Sequence, residues 1–177
     1  MARTLNTLMN GEYQAAHLYF QAGAWASQAN LSGSSGFFLG HASEEMMHME
    51  KLLTYMLEID VPAKFEALPE PEIKSNDIVG LIKQIYEHEK MVTQRFLSAA
   101  KEASDTGDLS TFEFLQWYVA EQREEESLFR DVLEKIDLIG DGPHSLYFID
   151  TEIAKISAKS AAAASSGGAS GAASGAA

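Results

Sequence analysis

A pair of side chains that could bind a metal lies near the start of the second quarter of the chain. Glu45 and His48 form a Glu-x-x-His pair, and residues three apart lie on one face of a helix. Three further glutamates are Glu12, Glu89 and Glu125. Each lies on a predicted helix face, called a stripe below, whose other residues at spacings of three and four are mostly apolar. Carboxylates joined by one imidazole suit iron or manganese better than copper(I). These spacings predict a di-iron carboxylate site inside a bundle of helices.

A bound cation also resolves an electrostatic problem that the four acids create. The apolar stripe of a bundle helix faces the core, where an unpaired carboxylate is costly. These stripes hold too few basic residues to pair four acids. The predicted site, with Gln122 adjacent, consists of Glu12, Glu45, His48, Glu89 and Glu125. The alternative is that the stripes are misplaced and the acids are solvated.

More polar side chains lie on or beside these stripes. Glu44, Glu121 and Glu124 flank them, so a second carboxylate cluster is geometrically possible, although a solvated face is the default for such a run. Tyr19 is either a core side chain or a partner of the centre, through a hydrogen bond or redox chemistry. His41 is interpreted as a core histidine with satisfied polar atoms, or as one that supports a ligand.

Four long helices are needed to position these residues. The sequence predicts them over about 3–29, 34–59, 76–103 and 110–140, with Ser75 or Asn76 capping the third. Helices of about 25 residues are about 37 Å long, which suits a four-helix bundle. Short turns make the first pair and the last pair antiparallel. Residues 60–75 contain three prolines and could span about 50 Å when extended, which predicts one long crossover along the bundle.

The end of the chain differs in composition from the rest. We predict one domain over residues 1–157, including a short fifth helix over 145–157, and a flexible Ala/Ser/Gly-rich tail over 158–177. The fifth helix carries an apolar stripe of Leu146, Ile149, Ile153 and Ile156. Because four helices already complete a core, this stripe should be exposed and should seek other copies of the chain. The pattern predicts a large closed homo-oligomer with this helix at a symmetry axis.

Composition excludes several classes of function. The chain has no cysteine, so disulfides, iron–sulfur clusters and thiol catalysis are excluded, and a reducing cytoplasm is expected. With 13 Lys+Arg against 26 Asp+Glu, nucleic acid and anionic membranes are unfavourable partners. No apolar run is long enough to span a bilayer.

Four stretches together resemble bacterial non-haem ferritins. They are residues 41–49 (HASEEMMHM), 86–90 (YEHEK), 111–126 (TFEFLQWYVAEQREEE) and 146–150 (LYFID), and the similarity covers about residues 3–157. The resemblance implies an all-α, ferritin-like four-helix bundle with a long crossover and a fifth helix. It further implies a 24-subunit hollow shell that oxidises Fe(II) with O2 and stores ferric mineral.

The same resemblance implies roles for individual residues. Glu12, Glu45 and His48 would hold the first iron, with Glu45 bridging to a second. Glu89 and Glu125 would hold the second iron, with Gln122 close by. The family's third iron site matches Glu44, Glu121, Glu124 and Glu125, and Tyr19 matches a tyrosine beside the centre.

Two other classes stay open. Met46 lies where bacterioferritins carry their haem-ligating methionine, but the fourth predicted helix offers Gln122 and Glu125 in place of a second Glu-x-x-His. We therefore expect no haem and no Soret band. A non-catalytic shell subunit would carry basic or apolar residues at the ligand positions, and this chain carries acids.

Overall fold

The computed structural model describes residues 1–167 of the chain, and that part contains five helices and no strand. The helices are α1 (Ala2–Gln28), α2 (Ser32–Glu58), α3 (Ile78–Asp105), α4 (Leu109–Ile139) and α5 (Ser145–Gly167). The all-α prediction and the four-helix bundle with a fifth helix are confirmed. Within the described residues, no helix is sufficiently long and apolar to cross a membrane.

Local chemistry explains where the helices begin and end. The cap of α3 is Asp77, whose carboxylate accepts a hydrogen bond from the Gly80 N–H at 2.7 Å, so the predicted caps Ser75 and Asn76 are wrong by one or two positions. Asp108 caps α4 in the same way through the N–H of Thr111 at 3.1 Å. The turn after α3 needs Gly107, because its φ of +73° is a conformation that glycine adopts without strain.

The predicted crossover is also confirmed. Residues 59–77 form neither helix nor strand, and they link the α1–α2 pair to the α3–α4 pair. Asn10 of α1 anchors the crossover: its side chain donates to the Lys64 carbonyl at 2.9 Å and accepts from the Glu66 N–H at 2.9 Å. Further along, the Gln84 side chain of α3 accepts from the Lys74 N–H at 2.8 Å. The connection therefore has a defined path despite its length.

The core consists of two apolar clusters along the bundle. One is built around Phe37, Phe38 and Phe129, and the other around Leu52, Met56 and Phe96. The buried polar side chains near mid-bundle belong to neither cluster; they include Glu12, Glu45, His48, Glu89 and Gln122. A polar layer between two apolar clusters is the position in which acids on core stripes should meet.

Helix α5 packs against its own chain more than its sequence predicts. Ile149 and Ile153 are buried against α2 and α4, so the expectation that the whole apolar stripe is exposed is wrong. The reason is a contact made by Asp150, which accepts hydrogen bonds from the N–H groups of Gly33 and Ser34 at 3.0 and 2.7 Å and so caps α2 from another helix. Gly33 permits this approach, because a Cβ there would lie 2.3 Å from the Asp150 carbonyl oxygen.

The apolar surface that α5 leaves exposed lies at its start. Leu146, Tyr147 and Phe148 are 53%, 70% and 52% exposed. At its other end, α5 continues to Gly167, ten residues beyond its predicted end, as the alanine run from residue 161 allows. The remainder of the predicted tail, residues 168–177, lies outside the described residues.

Candidate metal centre

The first group of possible ligands lies where α1 meets α2. Glu12, Glu45 and His48 are only 1%, 2% and 7% exposed. The His48 Nδ1 atom is 3.4 Å from Glu12 Oε2 and 3.4 Å from Glu45 Oε2. These three residues form a group whose donor atoms all lie within 4.8 Å of one another. The structure thus brings together the Glu-x-x-His pair and the acid of α1.

The α3 and α4 side of the centre contains Glu89 and Gln122, both fully buried. Gln122 Nε2 donates a long hydrogen bond of 3.4 Å to Glu89 Oε2, and its Oε1 accepts from the Thr93 hydroxyl at 3.2 Å. The other Glu89 oxygen accepts from the Tyr19 hydroxyl at 2.8 Å. Tyr19 is therefore a hydrogen-bond partner of a predicted ligand as well as a core side chain. These contacts fix the carboxylate plane of Glu89.

The buried acids of this centre outnumber the basic side chains that could balance their charge. Burial, and then the charge of Glu12, raises the pKa of Glu45 to about 8. Burial likewise raises the pKa of Glu12 and raises the pKa of Glu89 far above its ordinary range. Burial alone would lower the pKa of His48, but the neighbouring carboxylates of Glu12 and Glu45 raise it to about 11. Without a metal, the group as a whole retains extra protons.

Three buried atoms of this group have no hydrogen-bond partner among the described residues: Glu12 Oε2, Glu45 Oε2 and His48 Nδ1. Buried polar atoms are nearly always satisfied, so a cluster of unsatisfied ones needs an explanation. Bonds of about 2.0–2.2 Å to one metal place neighbouring donors about 3 to 3.5 Å apart. The two 3.4 Å separations match that spacing. The donor set and its geometry fit a divalent cation.

Surrounding side chains hold His48 in place. The Tyr118 hydroxyl donates to the His48 carbonyl at 2.8 Å, and the Trp117 ring meets the imidazole edge-on with centroids 5.3 Å apart. Lys51 lies 4.3 Å above the Trp117 ring centroid. Trp117 therefore packs directly against the candidate ligand.

A second group lies between α2 and α4. It contains His41, Glu44 and Glu125, whose donor atoms also lie within 4.8 Å of one another. Two members, Glu44 and Glu125, belong to the third site implied by the resemblance. The other two residues of that predicted site, Glu121 and Glu124, are not part of the group. Burial raises the pKa of Glu121, and the charge of Glu124 is among those that contribute to the increase.

His41 is the residue whose surroundings differ most from its sequence interpretation. Its Nδ1–H donates to the Phe37 carbonyl at 2.9 Å, as a satisfied core histidine should. Its Nε2, however, makes no hydrogen bond with any described residue and lies 3.4 Å from Glu125 Oε2. The available signal is the spacing of His41 and Glu44, which repeats the three-residue step of Glu45 and His48 in reverse order.

Comparisons with known proteins agree with the fold. The ferritin-like domain family matches residues 2–139. The chain is 38% identical over 157 residues to a bacterial non-heme ferritin of Campylobacter jejuni, covering 89% of this chain and 94% of the relative. It is 37% identical over 160 residues to a probable bacterial non-heme ferritin-like protein of Haemophilus influenzae, covering 90% and 97%. A ferritin structure from Archaeoglobus fulgidus superposes with a TM-score of 0.83 at 34% identity, covering 87% of this chain and 94% of the other.

Proposed function

The chain belongs to the ferritin family, and from this premise we propose that it stores iron after oxidising Fe(II) to Fe(III) with O2 at the buried centre. The observation that carries the proposal is the convergence of Glu12 Oε2, Glu45 Oε2 and His48 Nδ1, which are buried, unsatisfied and spaced as ligands of one cation. Iron enters this scheme as substrate and cargo.

The residues of the centre divide between two iron positions. Glu12 and His48 would hold the first ion, and Glu45 would bridge it to the second, as the resemblance implies. Glu89 and Glu125 hold the second ion, and Gln122 lies beside Glu89. Bound iron supplies the redox chemistry, and each ion gives one electron towards the reduction of O2. The chain supplies negative charge, which favours Fe(III) over Fe(II), and a site from which bulk water is largely excluded.

Proton balance follows from the same electrostatics. The metal-free group holds extra protons because burial raises the pKa values of its acids. Iron binding must release those protons, because the ligands bind metal in their deprotonated forms. Tyr19 stays a hydrogen-bond donor to Glu89, since burial, and next the Glu89 charge, raise the pKa of its phenol well above the ordinary value.

The proposal includes assembly of a closed shell, of 24 subunits as in the family that the sequence resembles, in the cytoplasm. The exposed aromatic pair Tyr147 and Phe148 at the start of α5 supports contact between copies, as does the 82% exposed Leu138 nearby in the chain. Light scattering should give a single large mass. A monomer or dimer under mild conditions would remove the shell from the proposal.

A haem-free protein is also part of the proposal. Met46 is half-buried on α2, and its side chain packs against the cluster around Leu52 and Phe96. We expect the purified protein to show no Soret band. A stoichiometric band that disappears in Met46→Leu would favour a bacterioferritin.

The central test combines location and turnover. Crystals soaked anaerobically in Fe(II) should show anomalous density between Glu12, Glu45 and His48, with a second peak beside Glu89. Mixing the same protein with O2 should give a fast oxidation phase that consumes O2. Iron at the centre without a fast phase would indicate a non-catalytic shell subunit, and no iron at the centre would refute the proposed site.

A further inference from the structure

A cleft between α1 and α3 lies outside both groups of possible metal ligands. Its volume is about 420 Å³, and side chains of these two helices line it. Leu8 and Ala99 are its buried lining residues, and the other side chains around it are polar and half-buried or exposed. A concave space of this size suits a small molecule.

The cleft is positively charged, although the chain as a whole has a formal net charge of -13. Arg3 and Arg95 line it, and neither guanidinium makes an ion pair or a hydrogen bond with any described residue. The acid of the cleft, Glu102, is already engaged. It accepts a hydrogen bond from the Thr4 hydroxyl at 2.8 Å, and it lies 3.3 Å from the amino group of Met1. The two guanidinium groups therefore face the cleft without a protein partner.

The hydroxyl groups of the cleft are used within the protein. Thr7 donates to the Arg3 carbonyl at 3.0 Å, and Ser98 donates to the Gln94 carbonyl at 2.7 Å. The side-chain amide of Gln94 has no hydrogen-bond partner among the side chains that the structure describes. The donors that remain for a ligand are thus N–H groups. The planar fork of a guanidinium matches the oxygen atoms of carboxylates and phosphates.

The register of the two helices separates the two arginines. Thr4 near the start of α1 contacts Glu102 near the end of α3, and further along α1 a Cβ on Gly11 would lie 3.6 Å from Arg95 Nη1. The helices are therefore antiparallel here. Arg3 and the level of Arg95 are about eight residues apart along α1, which is about 12 Å. This separation favours a ligand with two charged ends over one with a single charged group.

From this arrangement we propose that the α1–α3 cleft binds a small anion with two or more separated carboxylate or phosphate groups. Arg3 and Arg95 bind opposite ends of the anion, and the Gln94 amide donates a further hydrogen bond. Polycarboxylates and polyphosphates share this chemistry, and citrate and diphosphate are the probes that represent them. The inference does not depend on the proposed ferroxidase function, because none of these three residues belongs to the metal centre.

The alternative is that both arginines are merely solvated, since both are exposed. Solvated charges attract anions weakly, and salt screens that attraction beyond about 10 Å at about 0.1 M. Any exposed arginine should then contribute equally. Arg130 of α4 is exposed and does not line the cleft, so Arg130→Gln removes the same charge from a different place and is the matched control.

The test is a calorimetric titration of the full-length, metal-free protein with citrate, diphosphate and orthophosphate at about 0.1 M NaCl. Citrate or diphosphate should bind at least about tenfold more tightly than orthophosphate, because only they can reach both arginines. Arg3→Gln and Arg95→Gln should each weaken that binding by at least about tenfold. Arg95→Lys should fall between wild type and Arg95→Gln, because it keeps the charge and loses the fork. Arg130→Gln should change the affinity by less than about twofold.

Each result bears on the proposal. Binding of citrate alone assigns the site to polycarboxylates, binding of diphosphate alone assigns it to polyphosphates, and binding of both supports the shared chemistry. No measurable binding at millimolar concentrations, equal affinity for orthophosphate, or wild-type binding by Arg3→Gln and Arg95→Gln would overturn the proposal. So would an Arg130→Gln variant that loses as much affinity as Arg95→Gln.

The variants replace exposed side chains, so the fold should survive in all of them. Crystals soaked in diphosphate should show density in the cleft beside Arg95, and density only elsewhere would contradict the site. These measurements use no iron. A failure of the ferroxidase test would therefore leave this result unchanged, and absence of anion binding would leave the proposed function intact.

Discussion

The two candidate metal groups use the same ligand types in different surroundings. Each combines two carboxylates with one imidazole, and in each an imidazole nitrogen lies 3.4 Å from a carboxylate oxygen. The α1–α2 group is almost completely buried, whereas the carboxylates of the α2–α4 group are half-buried. We therefore expect burial to separate their functions. The α1–α2 group of Glu12, Glu45 and His48, called the dry group, should bind its cation tightly and support oxidation. The α2–α4 group of His41, Glu44 and Glu125, called the wetter group, should exchange its cation.

The difference has an electrostatic consequence. In the dry group, burial raises the pKa values of Glu12 and Glu45, so the empty site opposes ionisation of its own ligands. In the wetter group, Glu44 is half-buried and retains contact with solvent. A bound cation would compensate the charge of these acids in place of the protons that the metal-free group retains.

The largest effect should come from breaking the dry group. Glu45→Ala removes the proposed bridging carboxylate, and the initial rate of Fe(II) oxidation should fall by on the order of 100-fold or more. Above pH 8, where Glu45 is ionised, the unfolding temperature of the metal-free variant should stay at or above that of the wild type, because a repulsive buried charge has gone. Stopped-flow absorbance and calorimetry measure the two quantities.

The matched control is Glu50→Ala, an exposed acid on the same helix. It should leave both the rate and the unfolding temperature unchanged. If Glu45→Ala oxidised iron at the wild-type initial rate, the assignment of the dry group would be wrong.

A second test uses the pH dependence of stability. The folded pKa of Glu45 is about 8 against an ordinary 4.5, so the folded chain retains a proton that the unfolded chain releases between those values. His48, with a folded pKa of about 11 against 6.5, acts in the same direction above pH 6.5. The free energy of unfolding of metal-free protein should therefore fall from pH 5 to 8, by at most about 1.4 kcal/mol per pH unit for each proton.

Thermal unfolding at several pH values measures this slope. Glu45→Gln should flatten it, and saturating Zn²⁺ should oppose it, because the metal replaces the protons. Stability of the metal-free wild type that increased from pH 5 to 8 would contradict the electrostatic account of the dry group.

A smaller effect should follow from loosening one ligand without removing it. Tyr19→Phe deletes the hydroxyl that donates to Glu89 at 2.8 Å while preserving the ring. Metal affinity at the second iron position should fall by about tenfold, as is typical when a group that orients a ligand is lost. The control is Tyr55→Phe, whose hydroxyl contacts Thr111 at 2.9 Å in the other part of the core. Equal affinities in the two variants would remove Tyr19 from the centre.

Much of the architecture and of the dry group could be predicted from the sequence. Helices α1 to α4 begin and end within two residues of their predicted bounds, because apolar periodicity and turn residues are local signals. Glu12, Glu45 and Glu89 are buried in the core because each lies on the face that its helix packs against the others.

The failures of prediction depend on contacts between distant parts of the chain. The position of His41 Nε2 beside Glu125 depends on a ring orientation set by Tyr19 and Phe129 from other helices. The burial of Ile149 and Ile153 depends on Asp150 capping α2, more than a hundred residues earlier in the chain. Neither contact has a local sequence pattern, so apolar spacing alone misassigned the stripe of α5.

The smallest effect should come from the wetter group, and it is the one that separates the two groups most directly. Glu44→Gln together with Glu124→Gln should leave the first fast oxidation phase within about twofold of wild type, because neither side chain belongs to the dry group. Later turnover should change, seen as a different iron-to-oxygen ratio or slower regeneration of the fast phase.

Of the two single variants, Glu44→Gln should account for most of that change, because Glu44 lies with His41 and Glu125 whereas Glu124 is exposed and outside the group. Repeated stopped-flow additions of Fe(II) measure both phases. A larger effect of Glu124→Gln would favour the all-carboxylate site implied by the resemblance over the group that contains His41. If the double variant abolished the first fast phase, the two groups would form one site, and burial would not separate their functions.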